Sequence, residues 1–181
     1  MIKHFAKKID YTIPADLKGL VAAVITGESE KEIDLESPIF ATGFPLLGNM
    51  SGNMPTYMVN DRKFVTRSRL VVAGQIYKVL KNFRQTGLFN NLGIILMPSA
   101  PYYLFHKPGK FFNNDWTRFE DSSPNDSKIL IEQLSICTSN QDRIQLIMSF
   151  LIKLNEIRLP EIHWLEIAIN KILKKNGQVG Q

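Results

Sequence analysis

A chain of 181 residues with 44% hydrophobic, 10% aromatic and 22% charged residues can pack one domain and is short for two. Its single cysteine, Cys137, excludes an internal disulfide and fits a reducing cytoplasm; no apolar run reaches the ~18 residues of a membrane helix, and the basic start MIKHFAKKID lacks the apolar core of a secretory signal. The formal charge of +5 is scattered rather than gathered on one helix face, so it is a weak pointer to nucleic acid, and the expectation is a soluble, cytoplasmic protein with no membrane partner.

Up to about residue 97 the apolar runs are short and punctuated by Gly, Pro, Asn and Asp. Residues 20–26 (LVAAVIT) read as a strand. Residues 40–47 (FATGFPLL) are interrupted by Gly43 and Pro45, which predicts an edge or bent strand. The NMSGN cluster at 49–53 predicts a turn. Two short runs, 56–59 and 63–66, flank Asn60 and Asp61 and predict a tight hairpin. Further strands are expected at 70–77 (LVVAGQIY) and 92–97 (LGIILM). Repeated short strands with turn punctuation point to a small barrel or sandwich.

Beyond residue 97 the period changes. Residues 99–105 suit a short helix, and 111–123 read as irregular. Asp126 or Ser127 is expected to cap a helix running to about Thr138, with Ile129, Leu130 and Leu134 inward. Ser139 or Asn140 caps the next, whose Ile144, Ile147, Leu151 and Leu154 share one face. Pro160 suits the first turn of a third helix. That helix carries Ile162, Leu165, Ile169 and Ile172 on its apolar face, Lys174 and Lys175 at its C-terminal end, and Gly177 beyond. The fold class is therefore α+β: a β-rich front and about three helices behind.

Little here is arranged for catalysis. His4, His106 and His163 are far apart, with no His-x-His or Cys-x-x-Cys spacing, so no metal site is expected. Ser51 beside Gly52 lacks the G-x-S-x-G frame of a nucleophile elbow, and no glycine-rich loop runs into a helix to cradle a phosphate. Cys137, among Leu134 and Ile136, reads as an inert packed thiol. No catalytic residue and no cofactor is expected.

The aromatics of residues 102–119 allow two readings. They plug one end of the β region and dock the helices on it, or some of them, Phe105 and Trp116 included, line a pocket for an effector. On the strands Phe44, Tyr57, Gln75 and Tyr77 are expected to point inward. Gln75 is polar in an apolar run; facing inward it needs a partner, which a ligand can supply. The second helix is equally double. Met148 and Phe150 widen its apolar arc beyond one contact. Ile144, Ile147, Met148, Leu151 and Leu154 therefore either pack on the β region or pair with the same helix of a second subunit.

Several stretches carry a family likeness. Residues 13–24 (IPADLKGLVAAV), 38–47 (PIFATGFPLL), 73–75 (AGQ), 92–105 (LGIILMPSAPYYLF) and 165–179 (LEIAINKILKKNGQV) resemble, in order and spacing, segments of AraC-type transcription regulators. The likeness is to their N-terminal sensor domain and its junction with the DNA-binding half. It implies a cupin-like β-barrel holding a small organic effector, helices that pair two subunits, and a helix-turn-helix half that meets DNA. Residues 164–177 (WLEIAINKILKKNG) are built like the first helix of that half, and the chain then runs only through QVGQ. The expectation is a sensing half without its base-reading half, in a homodimer that reaches DNA only through the missing domain. On this reading 1–125 form the sensor region, 126–158 a packing or dimerisation region, and 159–181 the lead-in helix. Two other readings stand beside it: a small cupin-like enzyme, and a structural dimerisation module with no ligand.

Overall fold

Two long strands organise the chain. In the computed structural model, which describes residues 7–39, 43–59, 62–66, 68–76, 81–156 and 163–175, β2 (Val21–Ile39) and β7 (Lys81–Leu96) run antiparallel for most of their length. Apolar runs mark only one end of each, at 20–26 and 92–97. The remaining halves mix charged and apolar residues, as a strand with one solvated face does. The ladder slips between Ser29 and Ile33, opposite Phe89 and Gly87. The extra residues on β2 bend it there, and Gly87 takes a φ of +68°, where a side chain would be strained.

Shorter strands complete the sheet. β1 (Lys7–Ile9) adds to the outer edge of β2. The other edge of β7 is shared: β3 (Leu46–Asn49) takes residues 92–95, and β4 (Thr56–Val59) takes residues 82–84. β4 forms the expected hairpin with β5 (Arg62–Val65), whose turn residues Asn60 and Asp61 lie outside the described residues. β3 continues into β6 (Leu70–Ala73), and β6 into β8 (Trp116–Arg118). So β3 lies mid-sheet, not at an edge. Pro45, which has no N–H to give a ladder, stays just ahead of it, its carbonyl accepting from the Leu96 N–H at 2.8 Å.

The path β1-β2-β7-β3-β6-β8 does not return on itself among the described residues. Where the turn spacing predicts a small barrel or sandwich, the described residues form an open, bent antiparallel sheet. Beyond Thr26 the outer edge of β2 pairs with no strand among the described residues, and exposed Glu28, Glu30, Glu32, Asp34 and Glu36 blunt it with charge.

Facing residues on neighbouring strands point to the same side. Val24, Ile94, Leu47 and Val72 form one such row and are all essentially fully buried. The helices cover this side. The adjacent row, Ile25, Gly93, Gly48 and Val71, points to the opposite side.

α1 (Ala100–Phe105) follows β7. The stretch 111–123 is not wholly irregular; it holds β8 and the single turn α2 (Phe119–Ser122). α3 (Pro124–Ile136) starts on a proline in its first turn, ahead of Asp126 and Ser127. Leu130 and Leu134 are buried one turn apart, but Ile129, about 100° round the helix, is 60% exposed rather than inward. Ser139 accepts from the Asp142 backbone N–H at 3.0 Å and so caps α4 (Asn140–Glu156).

On α4, Ile144, Ile147, Met148, Leu151 and Leu154 are all buried in one cluster with the helix-facing row of the sheet. Phe105, Phe112, Phe119 and Phe150 join that cluster through edge-on contacts at 5.6–5.8 Å. The face offered as a dimer interface is therefore inside the chain's own core. Its arc is wide because α4 meets α1, α3, β7 and the turn at Ala15–Leu17 at once. α5 (His163–Lys174) comes last. Its described side chains from Ile167 onward are exposed or half-exposed. Pro160, Ile162 and Gly177, and the Leu165 side chain, lie outside what is described. Among the described residues no helix is long and apolar enough to cross a membrane.

Candidate functional site

The side of the sheet turned from the helices carries a cavity. Ile25, Gly93 and Gly48 stand abreast on β2, β7 and β3, and Gly27 follows on β2. Three glycines leave its floor without side chains. A Cβ at Gly93 would stand 2.8 Å from both Ile25 Cγ1 and Leu46 Cδ1, and one at Gly48 would stand 3.1 Å from Met50 Cε. The space holds about 180 Å³, and its walls, including Leu35, Leu46, Met50, Phe83 and Phe89, are almost wholly apolar. An apolar cavity of about 150 Å³ accepts a benzene molecule, so this one suits a ligand body of about one ring.

One end of the cavity is polar and already satisfied. Gln85 on β7 is fully buried. Its side-chain amide donates to Asn53 O at 2.7 Å and Thr86 O at 3.2 Å, and its Oε1 accepts from Asn91 Nδ2 at 3.1 Å. Asn91 Oδ1 in turn accepts from the Ser51 N–H at 3.4 Å. These bonds tie the segment after β3 across β7. The alternation Phe83, Gln85, Phe89, Asn91 is the signal that places them on one face.

Trp116 of β8 forms a further wall. Its ring packs against Tyr57 at 5.5 Å and Phe83 at 5.9 Å. Phe83 lines the inner cavity, Tyr57 lines an outer groove of about 540 Å³, and Trp116 lines both. Lys63, Val65, Thr66 and Arg118 form other walls of the groove. Arg118 donates to Asp121 through Nε at 3.0 Å and through Nη2 at 2.7 Å. Those bonds hold the Asp121 carboxyl below its ordinary value and raise the guanidinium. The Trp116 indole N–H and the Thr66 hydroxyl are buried and have no hydrogen-bond partner among the described residues. Such groups are uncommon because each forfeits its hydration; here two belong to the walls of one groove.

The chain matches no protein-family model and no curated protein.

Of the residues expected to hold a ligand, the structure brings Tyr57 and Trp116 together. Phe105 is in the core between Phe112 and Phe119. Gln75 is half-buried and its amide donates to Gly43 O at 2.8 Å, so backbone supplies the partner that a ligand was expected to supply. Phe44 is half-buried and lines neither space. Tyr77 lies outside the described residues. His106 is exposed at the end of α1 with a left-handed φ of 52°. Among the described residues no three His, Cys, Asp or Glu side chains gather as a metal would need. Cys137 is half-exposed and donates to Gln133 O at 3.3 Å; of the apolar neighbours expected for it, Leu134 lines the same space as the thiol, whereas Ile136 is 79% exposed.

Arg143 of α4 escaped the sequence pattern altogether. It is 4% exposed. Its Nη1 donates to Asn49 Oδ1 at 3.1 Å and Asn90 O at 3.0 Å, and its Nη2 to Asn90 Oδ1 at 2.5 Å and to Asn140 Oδ1. Burial pushes its pKa down, opposed by Cys137 and Glu28, yet a guanidinium stays protonated in proteins. Among the described residues no carboxylate stands within ion-pair distance of it.

Proposed function

We propose that this chain is the ligand-sensing module of a bacterial transcription regulator similar to the AraC type, and that it holds a small, largely apolar effector against the glycine-floored side of its sheet. The cavity of about 180 Å³ carries this reading. Sheets ordinarily fill such a face with side chains; here three neighbouring strands contribute Gly27, Gly93 and Gly48 instead. At Gly93 the closeness of Ile25 and Leu46 itself requires glycine, but at Gly48 the nearest atom is the movable end of Met50, so packing does not demand glycine there and room for a ligand favours it. The bent antiparallel sheet with helices on one side supports the cupin-like fold that the family likeness implies. An effector would favour one arrangement of sheet and helices by as much as its affinity differs between arrangements, and α5 would carry the bias to an attached DNA-binding half. Any pairing of two copies would use surfaces other than the buried face of α4.

Thermal unfolding in the presence of benzene or toluene tests the reading. At ten times its dissociation constant a ring-sized probe should raise the midpoint by about 3–6 °C. A module packed for structure alone would show no shift with any ring-sized probe, and that result would remove the sensing role.

A further inference from the structure

We infer, resting on that reading, that the ligand is one-ended: an apolar body in the inner cavity and a carboxylate in the outer groove, with Trp116 between them. The inner cavity offers a ligand little to bond. Its polar residues Gln85 and Asn91 are engaged with each other and with backbone. The outer groove has donors to spare. Among the described residues the Trp116 indole N–H and the Thr66 hydroxyl have no partner. An indole nitrogen only donates, so whatever completes it must be an acceptor. Lys63 is exposed on the same groove, and among the described residues no carboxylate stands within ion-pair distance of it. Two carboxylates of the groove already have donors: Asp121 accepts from Arg118, and Asp115 Oδ1 accepts from the Trp116 backbone N–H at 2.7 Å.

A carboxylate answers this set. Its two oxygens take several donors at once, so one group satisfies the indole N–H and the Thr66 hydroxyl and meets the Lys63 charge. Both orphan atoms are covered as the ring now lies. The ring must therefore swing to present its N–H. Because Trp116 is a wall of both spaces, the same swing joins groove to cavity and lets the apolar body through.

Toluene, benzamide and benzoate share a ring and differ in the end group, so their affinities separate the possibilities. Binding is read by calorimetry, and by Trp116 emission in a Trp164→Phe background, where it is the one tryptophan left. Benzoate should bind about tenfold or more tightly than toluene, with benzamide between. Trp116→Phe and Thr66→Val should each narrow the gap between benzoate and toluene; the second serves if the first does not fold. Lys63→Met should weaken benzoate about two- to fivefold at low salt and benzamide less. Toluene binding as tightly as benzoate would overturn the carboxylate inference and leave the apolar-cavity reading standing. Failure of all three probes would overturn both.

Discussion

Glycine has opposite meanings at positions 48 and 74. At Gly74 the backbone is pressed against Phe112, and a Cβ would stand 2.1 Å from Phe112 O and 2.3 Å from its carbonyl carbon. Neither atom can retreat without moving the main chain that docks the aromatic cluster. Gly74→Ala should therefore cost about 3 kcal/mol or more. At Gly48 the nearest atom is the terminal methyl of Met50, 3.1 Å away, which a rotamer change can remove. Gly48→Ala should alter stability by less than about 1 kcal/mol, yet its methyl enters the cavity and should abolish the thermal shift given by benzene. Urea unfolding of both variants, with and without the probe, checks this. Equal stability losses would show that position 48 is packed like position 74. The sequence marks both as glycines and separates them by nothing local. The contact that distinguishes Gly74 comes from a residue far along the chain.

Elements were legible where one face repeats and illegible where the repeat is broken. The stripe of α4 could be read from Ile144 to Leu154, because apolar spacing reports that a helix face is covered. It does not report what covers it, so a second subunit and the chain's own sheet were equally compatible with the pattern. Among the described residues Leu151 is buried in a cluster shared with the sheet, so the chain itself covers the stripe. Leu151→Ala should cost about 2–5 kcal/mol, and light scattering of the folded fraction should show the association state of the parent chain. Dissociation of an oligomer by this substitution would return the stripe to an interface. For β7 the legible part was the apolar end that touches the helices. Its other half alternates Phe83, Gln85, Phe89 and Asn91, and polar side chains on an inward face hide a strand from any apolar criterion. Gln75 drew attention as the polar residue of an apolar run and is tied to the Gly43 carbonyl. Gln85, in a run that looked like surface, is the buried one.

At the scale of the whole molecule, sheet and helices share one apolar cluster, but their seam is sewn by a cation. Arg143 projects from the first turns of α4 and donates to Asn49 on β3, to Asn90 on β7 and to Asn140 on its own helix. Those four side chains come from three separate stretches, so no local pattern could have assembled them, and the arginine read as one scattered charge among many. A guanidinium suits the place because its fixed fork reaches several oxygens from one position. The oxygens are neutral, so the seam loses nothing when carboxylates are protonated. Arg143→Met fills similar space but leaves the asparagine acceptors unpaired and buried, and should cost about 2–4 kcal/mol. Arg143→Lys should recover only part of that, since one ammonium cannot follow both arms of the fork. Because the bonds bridge the two layers, the loss should appear as lost cooperativity as well as lost stability. In the Trp164→Phe background, helix ellipticity and Trp116 emission should fall together in urea for the parent chain and separate in Arg143→Met, with the helices melting at lower denaturant. Coincident transitions in that variant, at the parent midpoint, would mean that the apolar cluster alone couples the layers.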